Sequence, residues 1–152
     1  MKKLVDVLNQ MEQYLVAHEQ LNPAVSAANA GWHIAHTLIT VNTVVKAIQH
    51  SDPLQYKYQF NRNRLIIMTI GKIPRGRGRA PEIVKPKQPY TLHELQILLA
   101  QTKEAIEILP GLHRNQYFAH PYFDHLNVKP TIRFLAIHAN HHLKIIADIV
   151  KK

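Results

Sequence analysis

The stretch RFLAIHANHHLKIIADI (133–149) decides the architecture. With His138 at 0° and about 100° per residue on a helix, His142 falls near +40°, Ile145 near −20° and Ile149 near +20°. Phe134 and Leu135 lie within about 60° of the same direction, and Ile146 within about 80°. Arg133, Lys144 and Lys151 point to the far side. The stretch therefore predicts a long amphipathic helix, opened by Pro130 in its first turn and running to Val150. It places His138 and His142 in the middle of the apolar stripe that should face the core and His141 at the edge of that stripe.

Two imidazoles on a buried face are costly unless their nitrogens find partners. The modest reading is a pair of hydrogen-bonded core histidines. The sharper reading is a metal site, because histidines spaced i, i+4 can converge on one cation at about 2.0–2.1 Å per bond. Two ligands seldom hold a catalytic ion, so the sharper reading needs a third from another helix. GWHIAHTL (31–38) offers one. His36 shares a helix face with Trp32, Ile39, Thr40 and Thr43, and His33 is the rival.

Working outward, Leu4, Val5, Leu8, Met11 and Leu15 recur at helical spacing over residues 2–19, and Asn22-Pro23 ends that segment. Ser26 suits the N-cap of a second helix reaching about His50. Residues 54–71 read as a further helix, though Leu65 to Ile70 alone would suit a strand. Residues 72–90 hold four prolines and two glycines and read as a loop. Thr91-Leu-His-Glu94 has the form of a capping box ahead of Leu95, Leu98, Leu99, Ile106 and Leu109, and Pro110-Gly111 closes that helix. The expectation is one all-α domain over residues 1–152: a four-helix bundle with an additional short helix and a long basic loop.

Composition narrows the chemistry. The chain has 152 residues and no cysteine, which excludes disulfides, thiolate zinc sites, iron–sulfur clusters and cysteine nucleophiles. No apolar run approaches the roughly 18 residues needed to cross a bilayer, and the N-terminus lacks the pattern of a signal peptide. A cytoplasmic location without membrane contact is the expectation. Histidine is abundant, at 11 residues, and lysine plus arginine outnumber acids 19 to 10.

The segments GWHIAHTL (31–38), IPRGRGRAP (73–81), FAHPYFDHL (118–126) and RFLAIHANHHLKIIADI (133–149), in that order, resemble the DinB-like superfamily of four-helix bundles. The thiol-dependent transferases of the bacillithiol, mycothiol and maleylpyruvate isomerase type belong to it. The resemblance implies a metal triad of His36, His138 and His142. It also implies an ion that activates a thiol or a water, hence S-transfer or hydrolysis on a small molecule, and pairing into a homodimer. Within the superfamily the chain is most similar to a branch of largely unassigned function; where that branch usually has glycine this chain has Asp124, which bears either on a tight turn or on a carboxylate near the site. An all-imidazole set suits Zn²⁺, Ni²⁺, Fe²⁺ or Co²⁺ and disfavours Ca²⁺ and Mg²⁺. His141, His33, His120 and Asp124 are candidates for orienting a ligand or moving a proton. The absence of HExxH, G-x-S-x-G and phosphate-loop motifs argues against zincins, serine hydrolases and nucleotide hydrolases.

Residues 72–87 carry Lys72, Arg75, Arg77, Arg79, Lys85 and Lys87 against Glu82 alone. Arg75, Arg77 and Arg79 are candidates for binding an anionic substrate or a low-molecular-weight thiol over the metal. The loop has no aromatic residue for stacking on bases, which argues against nucleic acid. Three function classes remain: a metal-dependent transferase or hydrolase, a non-catalytic metal-binding or interaction module, and a nucleic-acid-associated basic protein.

Overall fold

The computed structural model describes residues 1–76 and 80–151. Five helices account for most of it: α1 Lys2–Glu12, α2 Ala30–Gln49, α3 Arg62–Ile70, α4 Leu92–Ala105 and α5 Val128–Val150. Two short strands, β1 Tyr117–His120 and β2 Asp124–Asn127, pair antiparallel between α4 and α5. The chain is thus mostly helical, with a small two-stranded sheet that corrects the all-α expectation. None of the helices is long and apolar enough to cross a membrane.

The bundle consists of α1, α2, α4 and α5. α2 packs on both α4 and α5, and α1 packs on the same two, so α1 and α2 lie diagonally opposed. The reason is written in the side chains. α1 buries Leu4, Val7, Leu8 and Met11 at i, i+3, i+4 and i+7, a single stripe. Removing each large apolar side chain from water contributes about 1.5–3 kcal/mol. α2 buries residues on nearly all sides, as a helix flanked by two others must. Leu38, Leu95, Leu135 and Ile146 are among the fully buried side chains where these faces meet.

Several boundaries differ from the sequence expectation. The first helix stops at Glu12, and Leu15–Ala17 form a 3-10 turn instead of continuing to residue 19. That turn brings the His18 carbonyl to the Gly31 amide at 2.7 Å. A Cβ on Gly31 would lie 2.9 Å from that oxygen, so only glycine allows the approach. The N-cap of α2 is Asn29, whose Oδ1 accepts from the Trp32 amide at 2.8 Å, and not Ser26. Residues 54–61 are extended apart from a 3-10 turn at Pro53–Gln55, and the helix expected over 54–71 is confined to α3. Gly71, at φ +67°, ends it in the left-handed conformation. The capping box at Thr91 and Glu94 is present with both reciprocal bonds. α5 begins at Val128, two residues ahead of Pro130.

The hairpin is held from outside by α3. Asn61 Nδ2 donates to Asp124 Oδ2 at 2.7 Å, and Arg64 donates to the carbonyls of Phe123 and His125 at 3.2 and 3.3 Å. Asp124 has φ +57°, the left-handed region that aspartate tolerates better than most side chains. It opens β2 directly after the three-residue connection Pro121-Tyr122-Phe123, so the tight turn is made without glycine.

Candidate metal centre

α5 is buried on two flanks. Leu135, Ala139 and Ile146 enter the bundle core, and Phe134, His138, His141 and His142 line a cavity of about 490 Å³ on the other side. The two triad histidines of α5 therefore belong to the cavity flank of the stripe and not to its centre. α2 contributes His36, Thr40 and Thr43 to the same cavity; the hairpin, α3 and the loop after α3 complete its walls.

His36, His138 and His142 come together there. Their ring centroids are 5.2 Å (His36–His138), 4.7 Å (His36–His142) and 4.7 Å (His138–His142) apart, nearly an equilateral triangle. One nitrogen from each ring lies within 4.8 Å of the others. Around a tetrahedral ion with bonds of about 2.0–2.1 Å, ligand nitrogens are about 3.4 Å apart, so inward movements of about 1 Å or less would bring these rings to bonding distance. The three histidines are close enough to bind a metal.

The hydrogen bonds fix which nitrogens are available. His36 Nδ1 lies 2.9 Å from the carbonyl of Val84, which can only accept. In a neutral imidazole this places the proton on Nδ1 and leaves a lone pair on Nε2. The Trp32 ring, one turn earlier on α2, stacks on His36 at 5.1 Å and 14° and holds its plane. His142 Nδ1 lies 3.0 Å from His33 Nδ1, and His33 Nε2 lies 2.9 Å from Ser26 Oγ. The series is satisfied in either direction, and the direction in which His142 donates to His33 and His33 donates to Ser26 frees Nε2 of His142 for a cation. Ser26 Oγ also accepts from the Ala28 amide at 3.1 Å.

His138 differs. Its Nδ1 is shielded from solvent and has no hydrogen-bond partner. An unsatisfied buried polar atom of this kind costs about 1–3 kcal/mol. Asn42 Oδ1 is a second such atom among the described residues. A ligand set of neutral nitrogens with one ring left unsatisfied fits a cation of the zinc or nickel type.

Burial keeps these rings neutral. It pushes His138 down to about 3 and His33 to about 4, and the neighbouring imidazoles add to the shift in both. His142 is held well below the ordinary histidine range, mainly by burial and next by His138. His36 is lowered by burial despite its bond to Val84. Neutral imidazole is the form that binds metal, so no proton need leave at pH 7.

The other candidates lie as follows. His141 lines the cavity with its ring 5.0 Å from that of His142, and burial lowers its pKa. His120, on β1, stacks on Phe123 at 4.3 Å and meets Phe134 edge-on at 4.6 Å; burial brings it to about 4. Asp124 is turned to Asn61 and is not among the residues lining this cavity. Arg75 forms an ion pair with Asp148 on α5 at 2.7 Å, fastening the basic loop to that helix. Arg77 and Arg79 lie outside the described residues.

Sequence reasoning missed Ser26 as the partner of His33, the Val84 carbonyl as the partner of His36, and Phe118 and Phe123 as cavity walls. Ser26 carried a signal that pointed elsewhere, because a serine before a helix reads as a cap. Neither a backbone carbonyl nor a hairpin of four-residue strands leaves a clear pattern in sequence. Comparisons with protein-family models, with curated proteins and with solved structures find no match.

Proposed function

We propose that the chain is a metal-dependent transferase or hydrolase for a small molecule, with one divalent ion held by His36, His138 and His142. The carrying observation is the triangle of buried imidazoles, one with its proton placed on Nδ1 by the Val84 carbonyl and one partnered at Nδ1 by His33, facing a cavity large enough for a ligand. Membership of the DinB-like superfamily is part of the same proposal and rests on the motifs at 31–38, 73–81, 118–126 and 133–149. A Zn²⁺, Ni²⁺ or Fe²⁺ ion bound there supplies Lewis acidity and lowers the pKa of a thiol or water nucleophile toward neutrality.

The chain's own residues have separable tasks. Val84 and His33 orient two of the rings from behind, as the outer partners of metal-binding histidines do. The apolar walls exclude water and raise the strength of electrostatic interactions inside. His120 and His141, both neutral at pH 7 and both on the cavity wall, are the groups able to take up a proton there.

A second reading, a metal-binding module without turnover, draws support from the described cavity wall, which includes no aspartate or glutamate to serve as a base. Metal analysis of protein purified without a histidine tag tests the shared core of both readings. The expected result is one equivalent of metal in the wild type and none in His138→Ala. Assays with bacillithiol, mycothiol and glutathione as thiol donors, and with ester and amide substrates, then separate turnover from binding alone.

A further inference from the structure

One wall of the cavity is a run of aromatic rings that ends at the triad. Phe118 and His120 of β1 meet edge-on at 5.7 Å. His120 lies flat on Phe123 and edge-on to Phe134, and Phe134 lies 5.7 Å from His138. Ile67 of α3 and Ile73 and Val84 of the following loop extend the apolar surface. Tyr122, 57% exposed, and Ile83, 74% exposed, stand at the mouth.

Among the described residues, the polar side chains that line the cavity are of two kinds. There are the histidines, with His36, His138, His141 and His142 grouped at one end and His120 within the aromatic wall, and the hydroxyls of Thr40, Thr43 and Tyr122. Among the described lining residues no side chain is a carboxylate. A cation entering this space would lose hydration without gaining an opposite charge from the described lining.

We infer that the cavity receives a compact aromatic molecule bearing a single anionic, metal-seeking head group. The ring lies against the Phe118–His120–Phe123–Phe134 wall and the head group points to His36, His138 and His142. Ring faces and edges along that wall are spaced for offset or edge-to-face contact with one further ring. The head-group end of this inference rests on the metal reading above; the ring end does not. A multiply charged peptide thiol is poorly matched to the same walls, because several of its polar groups would be buried without partners.

The test is calorimetric titration of acetate, phenylacetate and 1-naphthylacetate into zinc-loaded and chelator-treated protein, with 1-naphthylmethylamine as the cationic counterpart. Affinity should rise about tenfold or more on adding the phenyl ring and again on extending it to naphthyl, in both forms of the protein. The amine should bind at least about tenfold more weakly than 1-naphthylacetate. Thr43→Trp, which fills the cavity from α2, should remove the gain from each ring and leave zinc content unchanged. Where that variant fails to fold, Phe118→Ala on the hairpin should cut the naphthyl gain by itself. Equal affinity across the acid series, a gain that survives both variants, or tighter binding of the amine overturns the inference. Zinc binding with a flat series overturns this inference alone. A rising series on protein that never takes up metal overturns the metal reading and with it the head-group end of this inference, and leaves the ring end standing.

Discussion

His142 and His33 are joined Nδ1 to Nδ1 at 3.0 Å across 109 positions of sequence. Their contact ties the start of α2 to the last third of α5 and leaves the other nitrogen of His142 facing His36 and His138. Because Ser26 receives His33 from behind, three residues from two segments fix the orientation of a single ring.

Removing His33 should therefore weaken metal binding without abolishing it. His33→Ala should lower zinc affinity by about 10–100-fold, as losses behind a metal-binding histidine commonly do. Competition with a chromogenic chelator measures this. Unchanged affinity would mean that His142 needs no partner to hold its orientation.

His138→Phe should separate the two roles of the unpartnered ring. The phenyl ring replaces imidazole at similar volume and removes a buried nitrogen without a bond, so metal-free protein should gain about 1–3 kcal/mol. Zinc should then raise the melting temperature of the wild type and not that of the variant. A metal-free variant less stable than the wild type would show that Nδ1 of His138 is satisfied in solution.

Acid should destabilise the metal-free protein well before its carboxylates titrate. Histidines of the unfolded chain take up protons near pH 6.5, but folded His33 and His120 do so only near 4 and His138 near 3. Below pH 6.5 the unfolded state therefore binds more protons, and stability falls as pH falls, by up to about 1.4 kcal/mol per unit for each ring. The loss for a given ring is complete only once pH passes below its folded value, where both states are protonated alike. Thermal melts of chelator-treated protein from about pH 8 to about pH 5 should be flat above 7 and decline below 6.5. A constant melting temperature over that range would contradict the burial of neutral rings.

The entry to α2 gives a paired test of local structure. Asn29→Ala removes the cap and should cost about 1 kcal/mol with little effect on metal affinity. Ser26→Ala leaves the cap and should act on metal affinity through His33. Gly31→Ala should cost about 1–3 kcal/mol, because its methyl group would press on the His18 carbonyl. Denaturant unfolding and chelator competition on the three variants distinguish these effects.

Periodicity was enough to place the long helices, because α1, α2, α4 and α5 each bury apolar residues at helical spacing and two carry side-chain caps. It also placed His138 and His142 on one helix face, since i, i+4 spacing fixes that geometry in any helix. The third histidine was harder. His33 and His36 are nearly neighbours on α2; the helix face favoured His36 with His33 as the rival, the resemblance agreed, and the structure places His33 behind His142. The hairpin escaped because strands of four residues, each with one or no buried side chain, carry no period long enough to read. The early end of α1 escaped as well, since the interaction that redirects the chain, His18 with Gly31, is between backbone atoms.

The bond from His36 to the Val84 carbonyl makes the middle of the chain a chaperone of its own chemistry. Residues 82–84 lie far from either histidine-bearing helix in sequence, yet their seating dictates which nitrogen of His36 is bare. Ion capture and loop seating are on this account the same equilibrium. Zinc should slow proteolytic nicking after Lys87, and a chain already nicked there should hold its ion less firmly even with every ligand intact.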